Sequence, residues 1–164
     1  GTFSLWQVIL QSQTQSRRRI LPLFLSDQGR VLVPTAWRTW ELLLDRESAA
    51  LPYIPDAVVG DQARALWEQL RPVAEEAAAP LYDDMRREHD EELAREAKTR
   101  AEAFEARKRD IERIGLHQVR QHRLRKLQQE YQVWQEQLAT RQTVWPRLEP
   151  LLLLRIAAEG EVAQ

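Results

Sequence analysis

Hydrophobic positions change their spacing along the chain, and the change divides it into regions. From residue 3 to residue 11 the β-formers Phe3, Trp6, Val8 and Ile9 predict a strand. A second apolar run, Ile20, Leu21, Leu23, Phe24 and Leu25, predicts another strand over residues 19–26. "SDQGR" supplies a turn, with Asp27 to start it and Gly29 to accept positive φ. "RVLVP" then closes a hairpin, and Pro34 ends it. Pro34-Thr35 also reads as a helix start, and the next ten residues carry Trp37, Trp40, Leu43 and Leu44 on one face. "ALPYIPDAVVG", with two prolines and a glycine, reads as a linker.

From Asp61 onward the period becomes helical. Leu66, Leu70, Val73, Ala77, Leu81 and Met85 recur three or four residues apart, while Pro72 and Pro80 predict kinks or separate helices. Beyond Met85 the apolar stripe thins to Leu93, Ala97, Ala101, Phe104 and Ile111 among charged residues. Such a helix needs a neighbour to cover so thin a stripe. Past Gly115, the residues Leu124, Leu127, Tyr131, Trp134 and Leu138 repeat at 3-4-3-4, a heptad seam. A glycine inside a helix costs about 1 kcal/mol, and the common reason to keep one is a left-handed C-cap. Gly115 is therefore expected to be the turn of an antiparallel helical hairpin. Its arms, residues 81–113 and 117–142, would be about 50 and about 40 Å long.

After Pro146 and Pro150, "LLLLRIAAEGEV" reads as a strand buried on both sides, because it lacks alternation. The pattern as a whole predicts an α+β fold. A small mixed or antiparallel sheet with packed helices takes residues 1–58 and 146–164. Connecting helices take residues 59–80, and the long coiled-coil hairpin takes 81–145.

Composition narrows the function. The 164 residues include no cysteine, which excludes disulfides and thiolate metal sites and suits a reducing, cytoplasmic setting. The longest wholly apolar run, residues 151–154, is too short to span a bilayer, so no membrane partner is expected. The opening Gly-Thr-Phe lacks an initiator Met, and the chain is read as part of something longer. None of the five glycines belongs to a phosphate-binding motif. No Ser-His-Asp set is offered, because the three histidines all lie on the charged hairpin. His89, beside Glu88, Asp90, Glu91 and Glu92, has helical metal-ligand spacing but no second set of ligands facing it. It reads as part of a solvated charged face. The six tryptophans read mainly as core. No enzyme activity, cofactor or small-molecule substrate is expected of this chain.

Charge is where the sequence becomes specific. The net charge is only −1, yet residues 61–96 hold 11 acids and 5 bases, whereas residues 107–126 hold 8 bases and 2 acids. The basic cluster comprises Arg107, Lys108, Arg109, Arg113, Arg120, Arg123, Arg125 and Lys126, and no acid occurs from His117 to Gln129. Six of these, Arg109, Arg113, Arg120, Arg123, Arg125 and Lys126, are candidates for contact with phosphate or an acidic partner. Arg17, Arg18 and Arg19, read as a polar loop between two strands, form a second candidate cluster.

The stretch "DIERIGLHQVRQHRLRKLQQEYQVWQEQLATRQTVWPRLEPLLLLRI" resembles the C-terminal region of large bacterial Swi/Snf-like DEAD/DEAH-box helicases. Relatives of the polymerase-associated remodeller RapA and helicases of phage-defence islands such as DISARM are of this type. The features that carry the resemblance are Ile114-Gly115-Leu116, then Val119-Arg120 with Arg123-Leu124, and Pro146 before the terminal apolar strand. "RRRILPLFLSDQGRVLVPTAWRTWELLL" is compatible with the same region upstream. ATP hydrolysis in that family belongs to motor lobes whose motifs this chain lacks. The resemblance thus implies a non-catalytic accessory module. Its partner would be the double-stranded DNA backbone, the motor lobes, or another subunit of a defence complex. The competing reading is a structural coiled-coil adaptor without nucleic-acid contact, which could pair through the Leu124–Leu138 seam.

Overall fold

The structure is a computed structural model that describes residues 1–45 and 60–156. The linker expected at residues 50–60 lies, apart from Gly60, outside the described residues, as does the end of the last strand. In chain order the elements are β1 (Thr2–Gln11), β2 (Ser16–Leu25), α1 (Val33–Leu44), α2 (Asp61–Glu112), α3 (His117–Gln142) and β3 (Trp145–Arg155). Among the described residues the fold is α+β: a three-stranded antiparallel sheet, three helices, and the long helical hairpin that the sequence predicts. The contacts divide the chain into two compact units, and among the described residues the first comprises 1–9, 18–45, 60–82 and 146–156. The second comprises 10–17 and 83–145.

The sheet has the order β2-β1-β3. Gly1 and Ile156 exchange two backbone hydrogen bonds of 2.8 and 2.9 Å, which fixes β1 and β3 as antiparallel neighbours. The central position of β1 explains its composition, since both of its faces are covered. On one face Phe3 and Leu5 pack with Phe24 and with Ala36 of α1. On the other, Trp6 packs with Leu23 and with Leu70 and Ala74 of α2.

Several expectations change in this unit. "RVLVP" forms only an isolated bridge, Leu25 to Val31, because α1 begins at Val33 with Pro34 in its first turn and leaves no residues for a strand. The turn before it is as expected, with Gly29 at φ +76° and its N–H donating to the Ser26 carbonyl. α1 presents Ala36, Trp40 and Leu43 inward, at i, i+4 and i+7, while Trp37 is 46% and Leu44 60% exposed. The two apolar stripes of this short helix cannot face one way.

β3 is an edge strand, not one buried on both sides. Leu152 and Leu154 pack toward one cluster and Leu153 toward the other, and Leu151 is 48% exposed. It also begins earlier than expected and contains both Pro146 and Pro150. An edge strand tolerates them because a missing N–H need break no ladder bond.

No break separates residues 61–80 from residues 81–112: α2 runs through Pro72 and Pro80 as one helix. Each proline removes a hydrogen bond to the carbonyl four residues back. Pro72, Pro80 and those acceptors, Glu68 and Glu76, are all exposed, so water can satisfy the carbonyls. Among the described residues no helix is long and apolar enough to cross a membrane.

Candidate functional site

The second unit holds the helical hairpin. α2 ends at Glu112, α3 starts at His117, and Gly115 lies in the connection. The expected left-handed cap is absent: the positive-φ glycines among the described residues are Gly29 and Gly60. A Cβ added at Gly115 would meet nothing within 4 Å. Arg120 instead closes the turn. Its Nη1 donates to the Ile114 carbonyl at 3.1 Å, at the C-terminal end of α2, and its Nη2 lies 3.1 Å from His117 Nδ1. Such a cation on the last carbonyls of a helix is well placed against the helix dipole.

The heptad seam is spent inside the hairpin. Leu127 is buried, and Tyr131 stacks on Phe104 with ring centroids 4.2 Å apart and lies 5.5 Å from Trp134. The seam is thus largely taken up within the hairpin, with Leu124 and Leu138 left half-buried at its edge, where they line two shallow grooves. Toward the base, Arg141 grips Glu96 through two bonds of 2.9 Å, a bidentate geometry. His89 is not on a solvated face. It is 3% exposed, and its Nε2 donates to the Arg141 carbonyl at 2.9 Å. The signal was its place at i+4 between buried Met85 and Leu93, which outweighs the acids beside it in sequence.

The Arg141 guanidinium holds the Glu96 carboxyl below its ordinary value of 4.5. A carboxyl depressed by folding stabilises the folded chain above its unfolded pKa, and that contribution is lost as pH falls through the depressed value. Glu96→Gln should therefore lower the thermal midpoint at neutral pH and flatten its fall on acidification below about pH 4.5. A midpoint series across that range checks this, and parallel curves for the two proteins would refute it.

Arg17, Arg18 and Arg19 lie within β2, not in a loop. The loop itself is the short turn Ser12–Gln15, held by the Ser12 hydroxyl, which accepts from the Gln15 N–H at 3.1 Å. Arg17 pairs with Glu92 and lies 3.7 Å from Glu88, which ties β2 to α2. Arg19 is half-buried and engaged, and Arg18 is exposed. Phosphate would have to compete with carboxylates at Arg17.

At the basic end the candidates separate. Arg113 sits 3.9 Å from Asp110, and Arg109 Nε donates to the Glu105 carbonyl at 3.3 Å. Arg107 reaches Glu130 at 3.4 Å. Arg123, Arg125 and Lys126 are exposed and make no ion pair among the described residues. Arg123 and Lys126 share the side of α3 that carries Glu130, at i, i+3 and i+7. Arg125 lies across the helix, beside a shallow groove that it lines with Lys108, Phe104, Leu124, Leu127 and Gln128.

Comparison of the chain with protein-family models, curated proteins and solved structures gave no match.

Proposed function

We propose that this chain is a non-catalytic accessory module of an ATP-dependent DNA translocase that touches the backbone of double-stranded DNA through the turn end of its hairpin. The observation that supports this best is the stretch 117–129. It has no acid, and Arg123, Arg125 and Lys126 stand exposed and unpaired there among the described residues. Cations with no local counter-charge attract phosphate and release its counterions, and they carry no sequence information. Arg120 closes the turn and stands behind this surface. The placing of the module beside a motor rests on the resemblance of residues 110–156. The motor lobes or a defence-complex subunit are partners the same cations could serve.

Amide mapping tests the contact. Titration of a short DNA duplex into the isotope-labelled protein should shift resonances of residues 117–127 and leave the β1 amides in place. Shifts confined to the sheet, or none at low salt, would turn the reading to a protein-interaction adaptor. The outward Trp37 and Leu44 of α1 favour that second reading.

A further inference from the structure

One face of the hairpin is nearly free of charge. On α2, Asp90, Ala94, Ala97, Ala101, Phe104 and Lys108 recur at 4-3-4-3-4, so one stripe runs from an acid to a base through apolar, mostly small side chains. On α3, the stripe spaced 4-3-4-3-4-3 from Gln121 to Gln142 is glutamine or alanine throughout, except for Arg125. Two shallow grooves show that these stripes adjoin. Asp90, Ala94 and Ala97 line one opposite Gln142, and Phe104 and Lys108 line the other opposite Arg125 and Gln128. In a chain with 30% charged residues, loss of charge from one face is the mark of a surface that something covers. Alanines let another helix approach to about 8–10 Å.

The few charges identify the occupant. Asp90 and Lys108 are 18 positions apart in sequence, about 27 Å along the helix. None of Asp90, Lys108 and Arg125 makes an ion pair among the described residues. A two-fold axis across the middle of this face would lay a second hairpin antiparallel on the first. The single acid of each copy would then meet the two bases of the other. We propose that this face is the interface between two copies of the chain, packed as an antiparallel four-helix bundle. A patch about 27 Å long and two helices wide covers roughly 500 Å² per copy. That is small for a specific interface, so the dimer is a micromolar one. The proposal does not depend on nucleic-acid contact: it takes Arg125 into the interface and leaves Arg123 and Lys126, on another side of α3, for phosphate.

Sedimentation equilibrium of the full chain without nucleic acid tests it, with circular dichroism to confirm that each variant is folded. The intact chain should dimerise in the micromolar range. Asp90→Lys alone, and Lys108→Glu with Arg125→Glu alone, should each weaken association at least about tenfold, since each sets like charges face to face. An equal mixture of the two variants restores both charge contacts and should associate as the intact chain does. A monomeric intact chain, variants that still dimerise alone, or a mixture that stays monomeric would each overturn the proposal.

Discussion

Replacing Trp6 by alanine is expected to destabilise the folded chain by about 3–5 kcal/mol, the range for truncating a large buried aromatic side chain. Trp6 is 0% exposed and at the centre of the cluster that joins the sheet to α2. Its ring meets Trp67 edge-on, with centroids 4.9 Å apart and planes at 86°, a favoured aromatic geometry. Its Nε1–H donates to the Ser4 hydroxyl at 3.0 Å. Truncation would open a cavity and also leave the Ser4 oxygen, itself buried, without its donor. Trp6→Phe keeps most of the apolar area and loses the N–H, so its cost should fall to about 1–3 kcal/mol. Denaturant titrations followed by circular dichroism read both values. A Trp6→Ala loss below about 1 kcal/mol, within the range of an ordinary surface substitution, would mean that this cluster does not hold the unit together.

Strong periodicity was legible in the sequence, and side-chain partnership was not. β1 could be read because a central strand must be apolar on both faces. The hairpin could be read because two long helices, each with one thin stripe, must cover each other. The single helix α2 could not, since two prolines predict a break unless their freed carbonyls are known to face water. His89 was hidden among acids, and only its spacing from Met85 and Leu93 placed it inside. Arg17 looked like a solvated cation because its partners, Glu88 and Glu92, are more than 70 residues away in sequence. For the same reason the basic cluster read as one patch. The structure divides it into cations that hold the hairpin (Arg120, Arg107) and cations that do not (Arg123, Arg125, Lys126).

That division produces the second large effect. Changing Arg123 and Lys126 together to alanine should make DNA binding markedly weaker at low salt and less dependent on salt. Each phosphate contact contributes about 0.9 to the slope of log affinity against log salt on duplex DNA, so two lost contacts should reduce that slope by about 1.8. Arg120→Ala should behave differently. It removes a bond to the Ile114 carbonyl, so it should loosen the turn while leaving the slope nearly unchanged. Anisotropy titrations of one labelled duplex with the three proteins separate the two roles. Equal slopes for the intact chain and the double variant would remove Arg123 and Lys126 from the contact.

The most direct measurement is the affinity of the intact, folded protein for duplexes of unrelated sequence across a series of salt concentrations. Equal affinities for the different sequences and a log–log slope of about −2 or steeper are expected. Absence of binding at the lowest salt, or a flat slope with preference for one sequence, would contradict it.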